Sequence, residues 1–134
     1  MPVPVDWSRA DLEPLVFARS GWSCDLCRMY LPGRAYSLQH RRARGAGGRR
    51  GGVLDTPWNL ILMCGSATTG CHGWVEQTGE GRRWGQDHGF VIRGEARDPA
   101  SVPMFRHRRD WVIPSVDEHG VGVWLPAEPD GVLT

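Results

Sequence analysis

The stretch "SLQHRRARGAGGRRGGVLDTPWNLILMCGSATTGCHGWVE", residues 37–76, decides how the rest of the chain is read. It holds two histidines, two cysteines, one asparagine and five arginines around a glycine-rich run. A packed core takes up few of these residue types, and a plain linker has no use for histidine and cysteine on both flanks. The segment therefore reads as a binding site, and its histidines are suited to proton-transfer chemistry near neutral pH.

Working outward, "AYSLQHR" alternates as a strand that ends in His40. Five glycines between positions 41 and 52 make "ARGAGGRRGGVLDTP" a loop. "WNLILMC" predicts a second extended segment, "GSATTGC" a turn, and "CHGWVEQTG" the start of a helix. Upstream, "SRADLEPLVFARSG" predicts a helix from Ser8 or Asp11 to Arg19, with Asp11 as N-cap, Pro14 in the first turn and Gly21 as the stop. Downstream, "GFVIRG" predicts a brief strand, and "RDWVIPS" with "VGVWLP" a terminal hairpin around "VDEHG". The expected class is α+β in a single domain over residues 1–134. Its site core would span about 22–78 and a C-terminal extension about 79–134.

Four cysteines punctuate this plan. Cys24-x2-Cys27 is a tight turn that can present two thiolates to one ion, and Cys64 and Cys71 add a second pair across a wider turn. Four thiolates in tetrahedral array make a closed structural zinc site. His72 in place of Cys71 remains an alternative fourth ligand. A redox dithiol is disfavoured, because Tyr30, Leu31, Pro32 and Gly33 would break the helix such a motif opens. The start of the chain lacks a charged segment followed by an apolar one, and the longest apolar run, Leu60–Cys64, is too short to span a bilayer. A cytoplasmic protein with no membrane contact is expected, where cysteines bind metal more often than they form disulfides.

The net charge of +1 selects no partner, but its distribution does. Seven arginines and no acid lie between Asp25 and Asp55, whereas the tail after Arg109 holds five acids and no arginine. A locally basic surface suits a polyanion. Arg41, Arg42, Arg44, Arg49 and Arg50 are the expected phosphate contacts, with glycines letting the backbone approach a groove. All 16 basic residues besides histidine are arginine, a bias that GC-rich coding explains equally well. "FRHRRD" is a second basic cluster, and Trp22, Trp58 and Trp74 are expected to pack a small core.

The order of strand-end histidine, loop, asparagine and helix-opening histidine, interleaved with cysteines, resembles the HNH (ββα-metal) endonuclease family. The resemblance covers about residues 22–78 and is most specific in "LQHRRARGAGG", "WNLILMC" and "GCHGWVE". It implies a small ββα-metal core stapled by a four-cysteine zinc knuckle, a feature of small phage-encoded members. It implies His40 as general base, Asn59 as the residue that holds the loop or orients His40, and His72 as a ligand for a catalytic divalent ion. Glu76, one turn on, occupies a position where many members place a histidine. Gln39 stands where members carry Asp, Glu or His as a ligand, and a neutral amide is the weaker choice. The ligand set of Gln39, His72 and Glu76 suits Mg²⁺ or Mn²⁺, with Ni²⁺ or Zn²⁺ also accommodated. The implied activity is a DNA endonuclease or nickase in phage genome processing or packaging, with DNA and a phage terminase as partners. The alternatives are a non-catalytic zinc-stabilised DNA-binding module, for which Gln39 speaks, and an adaptor acting through the acidic hairpin.

Overall fold

The fold is described from a computed structural model over residues 7–43, 54–93 and 97–129. Helix α1 (Arg9–Ser20) opens where the Ser8 hydroxyl accepts the Asp11 amide and closes at Gly21, whose φ of 64° is left-handed. Ser8 rather than Asp11 is the N-cap, which places Asp11 in the first turn against the helix dipole and Pro14 in the second. Strands β1 (Tyr36–His40) and β2 (Leu60–Cys64) pair antiparallel, Tyr36 opposite Cys64 and His40 opposite Leu60. All five residues of β2 are buried, because α1 and the next helix, α2 (Gly70–Gln77), both pack on it. Burial on both faces is why this strand reads as an unbroken apolar run while β1 mixes polar and apolar positions. Leu12, Val16, Leu26, Leu31, Leu38, Val75, Phe90 and Met104 complete the core around it.

Helix α3 (Gly79–Asp87) was not expected from the sequence, since three glycines in nine residues give it little intrinsic propensity. Tertiary contact holds it: Trp84 packs against Trp74 of α2 and against Phe90. The strand expected at "GFVIRG" does not form. The Phe90 and Val91 amides both turn back to the Gly85 carbonyl, and the Phe90 carbonyl is taken by the Gln39 side chain. At the C-terminal end β3 (Met104–Arg106), β4 (Asp110–Val116) and β5 (Gly122–Pro126) form an antiparallel sheet in that order. The expected hairpin is its β4–β5 pair, with β3 added on the far side. No helix among the described residues is long and apolar enough to cross a membrane.

Two buried charges join these parts. Arg19 donates to the carbonyls of Pro57, Leu60 and Ser115 and lies against Trp124, so α1, the start of β2 and the second sheet share one guanidinium. Burial pushes its pKa down to about 10, with Asp25 acting in the opposite sense. The Asp25 carboxylate accepts from Ser20 Oγ, the Leu62 amide and Arg106 Nε, at 2.9, 2.9 and 3.0 Å. The "FRHRRD" cluster thereby serves largely structural ends. Arg106 pairs with Asp25, His107 donates to the Cys24 carbonyl, and Arg108 lies over Trp74 and Trp84.

Candidate metal centre and histidine site

Cys24, Cys27, Cys64 and Cys71 come together with all four sulfurs within 4.8 Å of one another. Cys27 Sγ and Cys64 Sγ are 3.8 Å apart, close to the spacing of about 3.8 Å that tetrahedral thiolates at 2.3 Å from one ion adopt. The six-residue spacer between Cys64 and Cys71 closes on itself through paired backbone bonds between Ser66 and Thr69. Gly65 makes that closure possible: its φ is 86°, and a Cβ there would lie 2.1 Å from the Thr69 carbonyl oxygen. The loop thus brings the Cys71 amide onto Cys64 Sγ at 3.4 Å.

The sulfurs cannot all be anionic without a cation among them. A hydrogen bond from Cys71 pulls the Cys24 thiol down to about 5, and the same contact drives Cys71 far up. Burial raises Cys27. A bound cation would relieve this conflict, and the four clustered sulfurs are consistent with a structural zinc site.

The residue after Cys71 is His72, so the cluster pins the first turn of α2 to the end of β2. His72 Nδ1 meets Ser37 Oγ at 2.5 Å, and that hydroxyl gives its single proton to the Gly65 carbonyl. Ser37 must therefore accept, so the His72 proton sits on Nδ1 and the lone pair on Nε2. Nε2 lies 3.8 Å from Glu76 Oε2, one helical turn further on. Burial, with the nearby charge of His40 second, holds the His72 pKa below the ordinary imidazole range and keeps the ring neutral. One divalent ion at about 2.1 Å from each atom spans such a gap.

Gln39 shares the Ser37 face of β1 by strand alternation and is fully buried. Its Nε2 is bonded to the Phe90 carbonyl at 2.7 Å, and its Oε1 has no hydrogen-bond partner among the described residues. That oxygen is one unused acceptor on the same face of β1 as Ser37, the residue His72 meets.

His40, at the end of β1, has its Nε2 2.7 Å from Asp55 Oδ1. Asn59 is fully buried, and its side-chain bonds go elsewhere than His40. Its Oδ1 accepts the Arg42 amide, and its Nδ2 donates to the carbonyls of Arg42 and Leu54, so it holds these two residues to one point.

The expected phosphate contacts divide. Arg41 is corrected: its guanidinium donates to the carbonyls of Gly89, Trp58, Pro99 and Val102, and at 1% exposure it is out of reach of a phosphate. Arg42 is half-buried and reaches the Arg97 carbonyl at 3.3 Å. Arg44, Arg49 and Arg50 lie outside the described residues.

Sequence reasoning passed over two residues. Ser37 had a weak signal, two positions before Gln39 on the same strand face. Asp55 had none beyond being the first acid after Asp25. No family model, curated protein or solved structure matches this chain.

Proposed function

We propose that this chain is a metal-dependent DNA endonuclease or nickase of the HNH type, with His40 as general base. The observation that carries the reading is the His72–Glu76 pair, its Nε2 lone pair turned to the carboxylate, on a helix joined to the His40 strand by the His72–Ser37 contact. Hydrolysis of a phosphodiester requires a deprotonated water and relief of the charge that builds on the phosphate. His40 takes one proton from water through Nδ1. The water oxygen forms the new P–O bond, the bond to the leaving oxygen breaks, and that oxygen takes a proton from solvent. A divalent ion held by His72 Nε2, Glu76 and Gln39 Oε1 would supply Lewis-acid stabilisation of the phosphate oxygens. One imidazole with oxygen donors suits Mg²⁺ or Mn²⁺, and the four thiolates suit a structural zinc.

Asn59 serves the loop whose arginines would lie on phosphates, contacts that give salt-dependent affinity with little sequence preference. Gln39 favours the second reading, a DNA-binding module without catalysis, because β1 offers the ion no carboxylate. Supercoiled plasmid separates the two. Wild type should form nicked circles with Mg²⁺ or Mn²⁺ and none with chelator, and His40→Ala should be at least about 100-fold slower at equal zinc content. Binding without cleavage across Mg²⁺, Mn²⁺, Ni²⁺ and Zn²⁺ would establish the module instead.

A further inference from the structure

We propose that Asp55 is the positioning residue of the base: it holds His40 by Nε2 so that Nδ1 faces the reaction, and Asn59 acts on His40 through it. The proposal rests on the nuclease reading above. Asp55 Oδ1 lies 2.7 Å from His40 Nε2, and each side chain is 20% exposed. An ionised carboxylate only accepts, so the imidazole proton sits on Nε2 and the lone pair on Nδ1. The ring is held at one edge and presents a proton acceptor at the other. When Nδ1 takes a proton, the new positive charge already has a carboxylate in contact.

The surrounding backbone is built to place that carboxylate. Asn59 Nδ2 grips the Leu54 carbonyl at 3.0 Å, and the amides of Asn59 and Leu60 both donate to the Thr56 carbonyl at 3.1 and 3.2 Å. Asp55 lies between those two held carbonyls. Leu60 is also the residue paired with His40 across the two strands. The strand register and the Asn59 clamp thus converge on one contact. Asn59 reaches the base indirectly, through the segment that carries Asp55.

The test uses the zinc-loaded full chain with Asp55→Asn and Asp55→Glu. An amide can donate to Nε2, which lets the ring move its proton to Nδ1 and silences the base. Nitrogen-15 spectra of the histidine rings should show His40 protonated on Nε2 in wild type and shifted toward the other tautomer in Asp55→Asn. On plasmid, Asp55→Asn should lower kcat about 10- to 100-fold with KM for DNA unchanged, and Asp55→Glu should recover part of the loss.

An unchanged tautomer in Asp55→Asn, or a kcat within about twofold of wild type, overturns the proposal. So does a loss confined to zinc content or folding that Asp55→Glu fails to rescue. If Asp55→Asn does not fold, Asp55→Glu alone carries the test: a lowered kcat at unchanged KM supports the role, and an unchanged kcat overturns it. A wild type that fails to cleave with any of Mg²⁺, Mn²⁺, Ni²⁺ and Zn²⁺ removes the nuclease reading and this proposal with it, a failure visible before any variant is compared.

Discussion

Replacing Arg41 by methionine separates a structural arginine from a DNA contact. Methionine fills much of the same volume but has no donor, so the carbonyls of Gly89, Trp58 and Val102 lose their partner, while that of Pro99 keeps the Val102 amide at 3.3 Å. Each orphaned carbonyl costs about 1 kcal/mol or more, which gives a loss of about 3 kcal/mol for the three. Part is recovered, because the charged groups acting on Arg41 are arginines and not carboxylates, so its charge is costly to bury. Burial, with Arg19 and Arg97 adding to it, already drives its pKa down to about 9. A net destabilisation of about 2 kcal/mol follows, a large share of the roughly 5–15 kcal/mol typical of a domain. With a urea m-value of about 2 kcal/mol/M, the unfolding midpoint should fall by about 1 M. Tryptophan fluorescence reads it directly, the chain having seven tryptophans. DNA affinity of the folded variant should match wild type. A midpoint within about 0.3 M of wild type together with weakened DNA binding would refute the reasoning and return Arg41 to the surface.

Three further outcomes are expected. Cys27→Ser should reduce bound zinc from about one per chain to near none and loosen the fold, seen by metal analysis and near-ultraviolet circular dichroism; full zinc occupancy would exclude Cys27 as a ligand. Ser37→Ala removes the acceptor for His72 Nδ1 and should weaken Mn²⁺ binding about tenfold in calorimetry, whereas equal affinity would show that Ser37 does not orient the ring. The lowered pKa of His72 means that protons compete for Nε2 only below the ordinary imidazole range. Mn²⁺ affinity should therefore stay level from about pH 8 to about 6.5 and decline only below that, and the folding stability tied to the neutral ring should fade in the same direction. A steep decline already above about pH 7 would contradict the burial argument.

Local pattern carried the elements that stand on local physics. The apolar run of β2, the alternation of β1, the glycine stop of α1 and the β4–β5 hairpin are each written in a few neighbouring residues. The cysteine pairs were equally legible, since few other roles fit four such residues in a chain of this kind. Helix α3 was not, because its glycines oppose helix formation and its support comes from Trp74 and Phe90, in other elements.

The candidate site divides in the same way. By residue type and order the sequence alone determined where to look: His40, Asn59, His72, Glu76 and the four cysteines. It could not tell Arg41 from Arg42, neighbours of identical chemistry. One is buried because four carbonyls from positions 58, 89, 99 and 102 converge on it, and the other is not. Nor could it choose a nitrogen on either histidine. That choice is made by Ser37, 35 residues from His72, and by Asp55, 15 residues from His40. A proton's place on an imidazole depends on the atom within hydrogen-bond reach, and only the folded chain decides which atom that is.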